Sequence, residues 1–152
     1  MNKLSKITKR KQILALQDYI SNLPGAMHGD CFPLKHSFAN GMYMRQITVP
    51  KGMFIIGKIH KDDHPSFMLK GDVSILTERG SKRIKAPMAM ISKAGDMRVG
   101  YVHEEMVWVD VFKTDVTDLN KIEAECVVTN YEAFDEYQAK RIKNFAKQIC
   151  QK

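Results

Sequence analysis

Cysteine is scarce and scattered in this chain. Cys31, Cys126 and Cys150 are odd in number, far apart and without a CxxC pair. That spacing excludes a disulfide framework and a thiolate zinc site, and it predicts reduced thiols in a cytoplasmic protein. Long apolar runs are missing too. No stretch reaches the length of a membrane-spanning helix, so no membrane partner is expected, and no apolar segment follows the basic N-terminus as a signal peptide requires. Internal repeats and low-complexity tracts are absent. Acids are absent from both ends. Lys3, Lys6, Lys9, Arg10 and Lys11 have no acidic neighbour up to residue 12, nor do Lys140, Arg141, Lys143, Lys147 and Lys152 from residue 140 onward. These ten cations exceed the formal net charge of +7, so the body between them is mildly acidic. A nucleic-acid interface on the folded body is therefore not expected, and only the basic ends could reach an anionic partner.

At 152 residues the chain is long enough for one domain with one core. Ile13, Leu16 and Ile20 recur at helical spacing in residues 1–23, and Leu23-Pro24-Gly25 ends that helix. Its basic half reads as a solvated, frayed end. Residues 24–41 hold two prolines and three glycines and read as a connector, with His28 and His36 as ordinary loop residues. From Tyr43 the grammar is β: Tyr43 to Val49 alternates, and further strands are expected over Phe54 to Ile59, Ser66 to Leu69, Val73 to Thr77, Lys82 to Ala86, Met88 to Ile91, Met97 to Val102 and Glu105 to Phe112. In the last of these, Val107, Val109 and Val111 face away from Met106, Trp108, Asp110 and Phe112. Asp118 to Glu125 suits a short helix and Ala124 to Thr129 a strand. A final helix over residues 131–149 has Thr129 and Glu132 at capping-box spacing. The organisation expected is an N-terminal helix (1–23), a barrel with its preceding loop (24–128) and a C-terminal helix (129–152). Many short strands with regular turns make the fold class mainly β, a sandwich or barrel.

Chemistry concentrates in one stretch, GMFIIGKIHKDDHPSFMLKG from Gly52 to Gly71. Lys58, His60, Lys61, Asp62, Asp63 and His64 crowd between two apolar runs, as a solvated turn or as a site. The stretch resembles the first motif of the cupin family. Gly52 and Gly71 hold the motif's two glycine positions and His60 its second histidine. Lys58 stands where that family has its first histidine, and His64 where it has its glutamate. In the second motif, Gly95 matches, but Arg98 stands at the third histidine and Val102 at the asparagine. The resemblance implies a single jelly-roll barrel with the terminal helices packed outside. It also implies an interior site at the barrel mouth, commonly with a divalent metal. Residues 41–113 further resemble small cupin-like proteins encoded by tailed bacteriophages.

Two of the four ligand positions are cations here, and an arginine side chain stays protonated. Lys58, His60, His64 and Arg98 therefore point to a metal-free pocket for a small anionic ligand, such as a phosphorylated sugar or nucleotide. Asp62 and Asp63 fall in the adjoining turn, to bind sugar hydroxyls or to face water. Tyr101, His103 and Glu104 read as a turn near the same mouth. If His103 replaces the missing histidine, His60, His64 and His103 with Glu104 would form a mixed nitrogen and oxygen site for a divalent transition metal. The expectations for function are, first, a binding protein that holds or sequesters an anion. The second is a metal-dependent isomerase, epimerase or dioxygenase. The third is a structural or assembly module of phage type, in the host cytoplasm or the virion. No catalytic residue is assigned, and a homo-oligomer is the expected assembly.

Overall fold

A computed structural model describes residues 3–150. In chain order the elements are α1 (Lys3–Ser21), β1 (Leu34–Ala39), β2 (Met42–Val49), β3 (Phe54–Ile56), β4 (Ile59–His60), β5 (His64–Thr77), β6 (Gly80–Lys85), β7 (Met88–Ser92), β8 (Val99–Lys113), α2 (Leu119–Cys126), β9 (Val127–Val128) and α3 (Tyr131–Cys150).

Two long strands, β5 and β8, organise the rest. The first half of β5 pairs with β7 and with the second half of β8. Its second half pairs with β6 and with the first half of β8. β2, with β1 outside it, extends the second half of β8, and β3 extends the first half. The antiparallel pairings thus resolve into a five-stranded layer, β1-β2-β8-β5-β7, and a four-stranded layer, β3-β8-β5-β6. The same two strands run through both. The transition falls where the β5–β8 register shifts, between Met68 and Val73, as bulges bend a strand. Gly71 sits at this point with φ +107°, and a Cβ there would lie 2.6 Å from the Glu105 carbonyl oxygen and 2.7 Å from Met106 Cα. Only glycine allows that backbone angle and that approach together.

Strand alternation decides what lies between the layers. Val49, Met68, Met106 and Trp108 from the larger layer pack against Val73, Ile75, Ile84 and Val102 from the smaller. The outer face of the smaller layer is sealed by helices. Ile13 and Ile20 of α1 and Tyr131 and Phe134 of α3 cover Val99, with Ile59 and Met97 beside it. Arg10 stitches this seal. Its guanidinium donates to Glu78 Oε1 at 2.8 Å and to both oxygens of Asp135, at 2.6 and 3.1 Å, and lies over the Tyr131 ring. The basic half of α1 is therefore anchored at Arg10, contrary to the solvated end expected. α2 is capped by Asp118, whose carboxylate accepts from the amides of Asn120 and Lys121.

The fold is the mainly β, jelly-roll barrel with external terminal helices that the sequence suggested. Local boundaries differ in several places: the strand expected over Phe54 to Ile59 is two, β3 and β4, in different sheets, and residues 124–126, expected as strand, end α2 before the two-residue strand β9. Residues 34–39, expected as loop, form edge strand β1. The strands expected at Ser66 to Leu69 and Val73 to Thr77 are one strand, since Gly71 bends the chain without ending it. The strands expected at Met97 to Val102 and Glu105 to Phe112 are likewise one, so Tyr101 to Glu105 is strand and not turn. The cap of α3 is Asn130, which accepts from the Ala133 amide at 2.8 Å, one residue after the threonine expected.

Candidate functional site

A cavity of about 780 Å³ opens between the layers. Its walls are the inward side chains of β2, β3, β5 and β8, and its mouth is bordered by residues 23–32 and by α2. The apolar lining comes from Ile47, Ile55, Ile75 and Trp108. The polar groups gather toward β4 and the paired centre of β2 and β8.

Three of them converge. His60 is held on β4 by its pairing with β9. His64 begins β5, and Asp110 lies in the second half of β8. One ligand atom from each falls within 4.8 Å of the other two. The imidazoles tilt against each other at 4.4 Å between centroids, and both rest against the Phe112 ring. Asp110 Oδ1 accepts from Trp108 Nε1 at 2.9 Å and from the Ser66 hydroxyl, which in turn contacts Ser92. His64 Nε2 lies 3.4 Å from the same oxygen but out of hydrogen-bonding alignment, and His60 Nδ1 has no partner among the described residues. Two buried imidazole nitrogens are therefore unsatisfied, a costly state for polar atoms unless something else meets them.

The electrostatics of the cluster are divided. Burial, then the neighbouring His64, Arg98 and Arg45, lowers the His60 pKa to about 3, against a smaller pull from Asp110. His60 is a neutral imidazole at physiological pH. Burial alone would raise Asp110, but its contacts with His64 and Ser66 outweigh that and hold it well below the ordinary carboxylate range. A neutral imidazole beside an ionised carboxylate is competent to bind a metal cation or to accept a proton.

Arg98 enters the same cavity from the segment before β8, where its carbonyl accepts from the Gly57 amide at 2.7 Å. Its guanidinium lies 5.4 Å from the centroid of the Trp108 ring. Burial lowers its pKa, and Asp110 and Asp96 oppose that. It makes no side-chain hydrogen bond or ion pair with any described residue. The other cavity cations are matched. Arg45 contacts Asp30 at 3.2 Å, and Lys58 contacts Glu123 at 2.7 Å and Asp30 at 3.9 Å.

Of the residues expected from sequence, His60, His64 and Arg98 come together in the cavity, and Lys58 stands at its rim with a 44% exposed side chain. Tyr101, His103 and Glu104 do not join them. Val102 points inward and is fully buried, so its neighbours Tyr101 and His103 point outward. Tyr101 packs on Phe54, and His103 Nε2 meets Ser74 Oγ at 2.7 Å. The group beside His60 and His64 is Asp110, not His103, and the mixed site with Glu104 is not assembled. Asp62 and Asp63 are used structurally, Asp62 by Arg141 and Tyr137 of α3 and Asp63 by Lys93 and the Ala94 amide. Arg45, Ser66 and Asp110 were missed. The available signal was an acid on the Met106, Trp108, Phe112 face, where an apolar residue belongs. His36, read as loop, meets the Tyr43 hydroxyl at 2.7 Å in the cavity wall.

A jelly-roll barrel with a polar-lined interior cavity is the class defined by this arrangement. No family model matches the chain, and no curated protein does. Solved structures that align with it include KdgF from Halomonas sp., at 13% identity over 57% of this chain and 82% of that one, TM-score 0.47. A cupin superfamily protein from Desulfitobacterium hafniense aligns at 8% identity over 59% and 83%, TM-score 0.47. A cupin domain from Bordetella pertussis aligns at 14% identity over 58% and 98%, TM-score 0.44. The overlaps are partial, and the barrel assignment rests on the strand pairing itself. Among the described residues no helix is long and apolar enough to cross a membrane.

Proposed function

We propose that the barrel binds a small anionic ligand in its cavity, of the phosphorylated-sugar or nucleotide kind. One observation carries the reading: Arg98 presents a guanidinium inside the cavity, over Trp108, with no hydrogen bond or ion pair to any described residue, Asp110 and Asp96 acting on it only at longer range. Buried guanidinium donors without a direct partner are unfavourable, and a carboxylate or phosphate on its planar fork would relieve that. Trp108 and the aliphatic walls supply a surface for the uncharged part of the ligand. Calorimetric titration with inorganic phosphate, a sugar phosphate and a nucleotide tests this. At least one is expected to bind, and Arg98→Gln to weaken it by roughly tenfold or more, the strength of one charge-assisted contact. Absence of heat with every anion would reject the reading.

A second reading has its own support. His60, His64 and Asp110 form a two-histidine, one-carboxylate set whose atoms already converge, with two nitrogens lacking partners. That set fits a divalent first-row transition ion. Such an ion, when bound, would polarise an oxygen of the ligand, as an isomerase or epimerase requires, whereas a dioxygenase would require the ion to be redox-active. On this reading Trp108 and Ser66 orient Asp110, the Phe112 ring fixes both imidazoles, and Arg98 orients an anionic substrate. Cobalt(II) absorption in the visible range, present in the wild type and lost in Asp110→Ala, supports it, and equal spectra reject it. A structural or assembly role would depend on the outer surface and not on the cavity.

A further inference from the structure

Polarity inside the cavity is sorted along the strands. Down the β2–β8 pair the inward couples are Arg45 with Asp110, then Ile47 with Trp108, then Val49 with Met106. All six side chains line the cavity. The facing layer adds Ile55 from β3 and Val73 and Ile75 from β5. Beyond Trp108 none of these side chains offers a hydrogen bond, and Trp108 Nε1 is already given to Asp110. Ile47 and Ile55 pack on the core yet stay only partly buried, because their remaining surface is cavity wall. The distance along β8 from the charged couple to the last apolar one is four residues of strand, about 13 Å. The cavity is therefore charged at its open end and purely apolar toward the bend at Gly71.

We infer that the ligand is an amphiphilic carboxylate, with its carboxyl group on Arg98 and a hydrocarbon body running past Trp108 toward Val49 and Met106. The inference rests on the anion reading above and narrows it, placing apolar-bodied acids ahead of sugar phosphates. The deep end selects the body. A hydroxyl carried past Trp108 loses its water and gains no partner. A methylene carried there covers apolar surface that is otherwise bare, and each one buried adds to affinity. The open end selects the head. Arg45 and Lys58 already have acids, which leaves the Arg98 guanidinium as the uncommitted fork, with Asp110 acting on it from a distance. A head with a single negative charge matches that balance. A doubly charged phosphate would bring more negative charge beside the ionised Asp110 than one guanidinium offsets.

Calorimetric titration of the full chain with octanoate, gluconate and inorganic phosphate tests the inference. Octanoate and gluconate share the carboxylate and differ in the body. Octanoate is expected to bind at least about tenfold more tightly than gluconate. Ile47→Gln and Ile55→Gln, made separately, each put an amide in the apolar wall and are expected to shrink that ratio by roughly fivefold. The ratio is read on folded protein, so either variant decides if the other does not fold. Arg98→Gln is expected to weaken octanoate by roughly tenfold. Gluconate binding as tightly as octanoate, a ratio unmoved by both isoleucine variants, or octanoate binding indifferent to Arg98→Gln would overturn the inference. Phosphate or gluconate bound in preference to octanoate, and weakened by Arg98→Gln, would overturn it and leave the anion reading standing. Heat from none of the three would remove both.

Discussion

The two layers of the barrel are made from the same pair of strands and finished in opposite ways. The four-stranded layer is apolar inside and sealed outside by α1 and α3. The five-stranded layer holds the buried polar cluster on its inner face and leaves its outer face without a helix. The difference shows that helical cover and cavity chemistry are separable here. The helices stabilise one layer, and the other is free to carry charged side chains on its inner face.

The sharpest way to break the comparison is at the point the layers share. Gly71→Val places a side chain against the Glu105 and Met106 backbone at an unfavourable φ, and is expected to cost more than about 4 kcal/mol. Urea unfolding or loss of soluble protein would report it, and a near-normal midpoint would show that the two strands are not the joint between layers. Next is the seal. Arg10→Ala leaves Glu78, which is 4% exposed, with only the longer Lys6 contact at 3.8 Å, and is expected to cost about 2–3 kcal/mol. Lys11→Ala, on the exposed side of the same helix, should cost under about 0.5 kcal/mol.

The polar layer should be the acid-labile one. His60 titrates near 3 in the folded protein and near 6.5 when unfolded. Between those values the unfolded chain binds the extra proton, so stability falls as pH falls. The slope approaches about 1.4 kcal/mol per pH unit in metal-free protein. His60→Gln should flatten that slope in denaturant titrations from pH 7 to pH 4. Smallest is the effect on the bare face. Ile91→Ser should change the stability of the protein by under about 0.5 kcal/mol, because half of that side chain already meets water.

Much of the fold was legible in the sequence, because alternation from Tyr43 onward marks inward and outward residues directly. The long strands were not legible as single elements. Gly71 reads locally as a turn, and only the approach of β8 shows that it is a bend. β1 was hidden because LKHSFA mixes polar and apolar residues at an edge, where one side meets water. At the site, His60, His64 and Arg98 were readable by spacing along one stretch and its counterpart. Asp110 was not, since its partners are 46 and 50 residues away in sequence and meet it only across the paired strands. His103 was misplaced by a turn that does not exist: one strand through 101–105 turns its ring outward.

Asp30, on the loop at the mouth, touches both Arg45 and Lys58. It acts as a resident counter-ion. On the proposed reading, a carboxylate or phosphate that reaches those two cations has to displace Asp30, and at Lys58 also Glu123, so its net gain there is small. At Arg98 no directly bonded acid has to be evicted. If the cavity binds anions as proposed, discrimination among them should originate at the guanidinium over Trp108, with the entrance serving as a turnstile and not as a trap.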